Sequence, residues 1–167
     1  MAVLNRSVLA FVLLCALLPL KVSADPFDAG SINLSVVLGS GRAFDDTYQI
    51  FGLGAGYYVA DGLELGLDYE VWSAGTPRIE QISPKVNYVF ARHGSLSPYV
   101  GGFYRRTRID GFEDRDAWGG RAGIYARSGR NLVLGVGMAY VRYQDCDRSI
   151  FVNCSDSYAE LTGGFYY

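Results

Sequence analysis

The sequence is poor in the residues that do most enzymatic chemistry. Its 167 residues hold one histidine, His93, and three cysteines. Lysine is almost missing from the body of the chain: after Lys21 only Lys85 remains, and arginine supplies the other positive charges. Beyond the first twenty residues no apolar run reaches the ~20 residues that a membrane-crossing helix needs. Each scarcity excludes something. His93 lies in Ala91-Arg92-His93-Gly94-Ser95, which reads as an exposed short turn, so the chain has no histidine base to offer a nucleophile at the opposite, loop-bearing end. Cys146 and Cys154, with no histidine nearby, do not make a zinc site, and no metal or other cofactor is expected. With no basic excess, nothing points to nucleic acid.

One long apolar run does exist, at the start. Arg6 gives a positive flank, Val8 to Leu20 is apolar, and Val22-Ser23-Ala24 fits the small-residue pattern of a signal-peptidase site. The run ends at Pro19-Leu20-Lys21, too short for a spanning helix, so residues 1–24 are expected to be a cleaved secretory signal and the mature chain to begin at Asp25. Cys15 goes with it, because Leu14 stands where a lipoprotein signal wants a small residue. The remaining 143 residues, 25–167, carry 13 basic and 17 acidic side chains and suffice for one domain, without room for a barrel plus a second module. Cys146 and Cys154, an even pair in an exported chain, are expected to be bonded to each other.

What is abundant is alternation. Eight stretches place apolar residues at every second position: Ser31 to Gly39, Tyr48 to Val59, Leu63 to Trp72, Ile82 to Phe90, Pro98 to Thr107, Ala117 to Arg127, Leu132 to Tyr143 and Tyr158 to Tyr167. In the third, Leu63, Leu65, Leu67, Tyr69 and Val71 alternate with Glu64, Gly66, Asp68, Glu70 and Trp72. The period is that of strands with two unlike faces, and no helical period competes. Ala60-Asp61-Gly62, Ala91 to Leu96 and Ser128 to Asn131 are tight turns, whereas Ser73 to Gln81, Arg108 to Asp116 and Gln144 to Ser157 are longer and more polar. The fold class is therefore all-β, an eight-stranded antiparallel up-and-down transmembrane β-barrel with short turns at one end and loops at the other. Tyr57, Tyr88, Phe90, Phe165 and Tyr167 would ring the turn end, and Tyr69, Trp72, Tyr104, Trp118 and Tyr140 the loop end. Pro84, which has no ladder donor, implies that the fourth strand starts near it or carries a bulge. Val37 interrupts the polar face of the first strand. A soluble lipocalin-type barrel has the same length and period with the faces reversed; the signal and the aromatic rims favour the membrane form.

Three phrases carry a family resemblance: Gly62-Leu63-Glu64-Leu65-Gly66-Leu67-Asp68-Tyr69, Ser97-Pro98-Tyr99-Val100-Gly101-Gly102 and the terminal Gly163-Gly164-Phe165-Tyr166-Tyr167. Over residues 25–167 the chain resembles the small eight-stranded outer-membrane barrels, the group containing the OmpA transmembrane domain and OmpX. That resemblance implies a place in the outer membrane of a Gram-negative bacterium. It also implies that Phe165 and Tyr167 serve as the signal read by the barrel assembly machinery. It brings no catalytic residue.

The candidate sites follow from the faces. Glu64, Asp68, Glu70, Lys85, Arg121 and Glu160 fall on the interior face and are expected to pair across strands, since buried charges need partners. Gly52, Gly54, Gly56, Gly135 and Gly137 make room for them. Trp72, Phe103, Tyr125 and Tyr143 are expected to block the lumen, which makes Trp72 a candidate for both rim and interior. Arg105, Arg106 and Arg108 at the top of the fifth strand are candidates for contact with lipopolysaccharide phosphate. The ring closed by Cys146 and Cys154 either holds the last loop together or presents Ile150, Phe151 and Val152 to a partner. The expected role is structural or surface-interacting, as a monomer in outer-membrane lipid whose loops contact lipopolysaccharide, a host surface or envelope partners; a narrow pore is the alternative and an outer-leaflet lipid-modifying enzyme the third.

Overall fold

A computed structural model describes residues 25–43, 46–90, 94–144, 146 and 154–167. The signal segment, His93 and Ile150 to Val152 lie outside the described residues. Eight strands follow in order: β1 Ile32–Ala43, β2 Asp46–Ala60, β3 Leu63–Ser73, β4 Ile79–Val89, β5 Leu96–Ile109, β6 Arg115–Arg127, β7 Leu132–Tyr143 and β8 Ser155–Tyr166. Each pairs antiparallel with its sequence neighbours, and β1 pairs with β8 to close the barrel. No helix among the described residues is long and apolar enough to cross a membrane.

Strand alternation sorts the side chains into two populations. Leu34, Leu53, Leu67, Val100, Leu134, Val136, Met138 and Leu161 stand on the outer wall, where Val136 is 56% exposed. Glu64, Asp68, Glu70, Ser83, Arg105 and Glu160 point inward and are buried, Asp68 completely. A soluble barrel would show the reverse, because water rewards a polar exterior and an apolar core. The lipocalin alternative is thereby removed.

The strands run further than hydropathy alone suggests. β4 starts at Ile79, β5 reaches Ile109, β6 begins at Arg115 and β8 at Ser155, so ladder hydrogen bonding continues through polar residues. Two of the expected loops shrink accordingly to residues 74–78 and 110–114, and only the β7–β8 connection stays long. Pro84 neither starts β4 nor bulges it. It faces outward, paired with Leu67 of β3, while the ladder with β5 lapses between Ile82–Arg106 and Lys85–Phe103 and resumes in the same register. The one register shift recorded in the ladders lies in β2 instead, between Tyr58 and Ala60. The β1–β8 seam, from Asn33–Tyr166 to Gly39–Glu160, is the shortest of the eight ladders.

Two apolar layers lie inside the barrel. At the loop end Tyr48, Ile50, Trp72, Ile79, Phe103, Ile109 and Tyr158 pack together, with Tyr143 against them. At the short-turn end Phe27, Tyr58, Val89, Tyr99, Tyr125, Val133 and Tyr166 form a second cluster. Val37 also points inward and is buried, so it adds packing to the interior.

Candidate functional site: the charged lumen and the outer rim

Between the apolar layers lies a band of paired charges. Asp68 is its centre: Lys85 Nζ approaches Oδ1 at 2.7 Å and Arg121 approaches Oδ2 at 3.1 Å. Lys85 also reaches Glu64 at 3.8 Å, and Arg121 reaches Glu160 at 3.7 Å. Glu64 accepts further hydrogen bonds from Asn33 at 3.0 Å and Asn87 at 2.9 Å. The six residues expected inside are thus brought into one lumen, Glu70 included.

Glu70 pairs with a residue expected elsewhere. Arg105 donates to Glu70 Oε1 at 2.9 Å, to Ser83 Oγ at 3.0 Å and to the Tyr158 hydroxyl, and it is only 1% exposed. The assignment of Arg105 to lipopolysaccharide contact is therefore corrected. Residues 99, 103 and 105 share the inward face of β5, so Arg105 belongs to the lumen and only Arg106 and Arg108 face out. The Phe103 ring lies between the two buried guanidiniums, 4.6 Å from Arg105 and 4.8 Å from Arg121. Aromatic faces attract such cations most strongly where water is excluded.

The glycines divide by what they accommodate. A Cβ on Gly52 would sit 2.8 Å from Glu70, one on Gly54 would collide with Asp68 and Ser35, and one on Gly56 with Glu64. Gly135 and Gly137 instead face the rings of Tyr125 and Tyr99. The β2 glycines make room for carboxylates, and those of β7 for tyrosines.

Trp72 belongs to the interior alone: it is buried, at 6.0 Å from the Tyr48 ring and 5.8 Å from that of Tyr158. Its place in the outer aromatic rim is corrected. Tyr69, Trp118 and Tyr140 do face outward, as do Tyr57, Tyr88, Phe90, Phe165 and Tyr167 at the other end. Above the Tyr104–Trp118 pair, whose rings are 5.0 Å apart, stand Arg106 and Arg108. Their side chains are 59% and 71% exposed, and they share Asp114 at 3.3 and 3.9 Å. Cys146 and Cys154 are disulfide-bonded with Cα atoms 5.5 Å apart.

Sequence patterning gave no sign of Phe27. It follows no period and precedes β1, yet it is fully buried in the short-turn mouth.

No protein-family model matches the chain, and no curated protein matches it either. Solved structures do. The N-terminal β-barrel domain of Pseudomonas aeruginosa OprF superposes with a TM-score of 0.69 at 19% identity, covering 83% of this chain and 98% of that one. The fold is that of the small outer-membrane β-barrels. Neisserial surface protein A is similar at a TM-score of 0.56 and 18% identity, over 81% of this chain and 94% of that one. A de novo designed transmembrane β-barrel matches equally, with a TM-score of 0.56, 19% identity and coverage of 86% and 98%. A natural barrel and a designed one stand at the same distance, so the likeness carries architecture and no shared role.

Proposed function

We propose that this protein is a monomeric barrel of the Gram-negative outer membrane with a structural and surface-interaction role and no catalytic activity. It is exported, matured at Asp25 and inserted by the barrel assembly machinery, which reads the outward Phe165 and Tyr167 of the last strand. The observation that carries this role is the filled lumen. Paired charges between two apolar layers leave little for a substrate or an ion to engage, so interaction falls to the rim and to the disulfide-closed loop. Refolded protein in a planar bilayer is expected to show no steady conductance, with a heat-modifiability gel confirming the folded state. A steady, ion-selective current would overturn this role and favour a pore.

The partner best supported is lipopolysaccharide. Arg106 and Arg108 are exposed guanidiniums directly above an aromatic belt, the arrangement that meets phosphate at the headgroup level. Asp114 neutralises them only weakly, because exposed ion pairs are worth about 0–1 kcal/mol. Lipopolysaccharide titrated onto an Arg106→Ala, Arg108→Ala double variant is expected to bind more weakly than to the parent. Equal affinity would remove these arginines from lipid recognition.

A further inference from the structure

Residues 25–31 precede the first strand and turn into the barrel. Phe27 is wholly buried, with ring centroids 5.2 Å from Tyr166, 5.5 Å from Tyr125 and 5.9 Å from Tyr58. The Arg127 guanidinium lies 5.6 Å over the same ring and donates to the Pro26 carbonyl at 3.3 Å. The contacts therefore span β2, β6 and β8, strands on different sides of the lumen.

The backbone is anchored as firmly as the ring. Gly62 N–H donates to the Phe27 carbonyl at 2.7 Å, Ala29 N–H to Asp61 Oδ1 at 3.0 Å, and Gly30 N–H to the Tyr58 carbonyl at 2.8 Å. Phe27 itself is held at φ 77°, a left-handed conformation that a bulky residue adopts only when its surroundings enforce it. The segment is not a trailing end. A socket built from separate strands fixes its conformation.

We propose that residues 25–30 are a stopper docked in cis, which closes the short-turn mouth of the barrel, and that the tyrosine socket is a binding site for an aromatic ring. The ring fills the gap between Tyr58, Tyr125 and Tyr166, and the carbonyls of Pro26 and Phe27 tie it to β6 and to the β2–β3 turn. Undocking opens the mouth to water at the expense of one strand contact, Gly30 N–H to the Tyr58 carbonyl, and leaves the paired residues of the eight ladders in place.

A cysteine reporter tests this. Val133 belongs to the cluster around Phe27, and Val133→Cys is a small change within it. Labelling with a water-soluble maleimide, read at position 133 by peptide mass spectrometry, is expected to be slow in that background. Adding Phe27→Ala is expected to raise the rate roughly ten-fold or more, the population shift that follows from losing one buried Phe side chain. Benzene should then slow it again by occupying the vacated socket, as apolar cavities of that size do. A variant shown folded by gel that labels at the parent rate would overturn the stopper, and labelling indifferent to benzene would overturn the aromatic site. If Phe27→Ala fails to fold, Asp61→Ala decides. It releases the Ala29 anchor without touching the ring and should also accelerate labelling, and an unchanged rate would overturn the proposal.

Discussion

Arg105 brings a full charge into a space walled by lipid-facing strands, and it is stable there because four partners converge on it. Glu70 supplies the opposite charge, Ser83 and Tyr158 each accept one further N–H, and Phe103 offers its face. Arg105→Ala leaves Glu70 buried without its ion-pair partner and is expected to cost about 3–5 kcal/mol in urea unfolding from detergent micelles. The double variant Arg105→Met, Glu70→Gln should recover most of that loss, because no uncompensated charge is left. Gly54→Val is expected to destabilise by about 1–3 kcal/mol by the same assay, since its methyls would displace Asp68 and Ser35. The interior carboxylates were legible in the sequence from parity alone: Glu64, Asp68 and Glu70 alternate with Leu63, Leu65, Leu67, Tyr69 and Val71. Arg105 had the same parity signal, shared with Tyr99 and Phe103, but three arginines in four positions look like a solvated cluster. Charge density outweighed period there, and the inward face of a closed barrel made the opposite choice.

At the scale of elements, the eight strands were legible and their ends were not. Hydropathy marks only the portion of a strand whose two faces differ, whereas hydrogen bonding carries a hairpin on into polar sequence such as Glu80 and Gln81 or Ser155 to Ser157. Pro84 illustrates the limit. Its missing N–H does remove ladder pairing, but β3 on one side and intact register on both sides of the gap hold β4 in place. Pro84→Thr should supply a donor toward β5 and raise stability by up to ~1 kcal/mol, measured as a higher urea midpoint; an unchanged or lower midpoint would mean the gap is not limiting. The β7–β8 connection makes a separate case. Its disulfide closes a short ring and contributes up to about 2.6 kcal/mol on the chain-entropy model. Reduction is expected to leave the barrel folded on a heat-modifiability gel while exposing residues 144–154 to protease.

For the molecule as a whole, sequence period fixed the two faces but could not say which of them was inside. Closure answers that, because the residues around Asp68 find partners only if they converge. An arginine on the outer wall should then be costly in lipid. Val136→Arg, near the middle of β7, is expected to lose about 2–4 kcal/mol of stability in bilayers, whereas an aqueous exterior would make it neutral. Phe27 was beyond reach of any pattern, since its burial depends on a socket assembled from β2, β6 and β8 together.

The short β1–β8 seam gives the barrel a mechanical polarity. Every other ladder joins strands linked by a turn or loop, while the seam joins the two ends of the sheet and has the fewest paired residues. A force applied to the C-terminus therefore meets its least resistance there. Pulled from that end, the wall should unzip from β8 inward, hairpin after hairpin, in force steps whose order follows the sequence backwards.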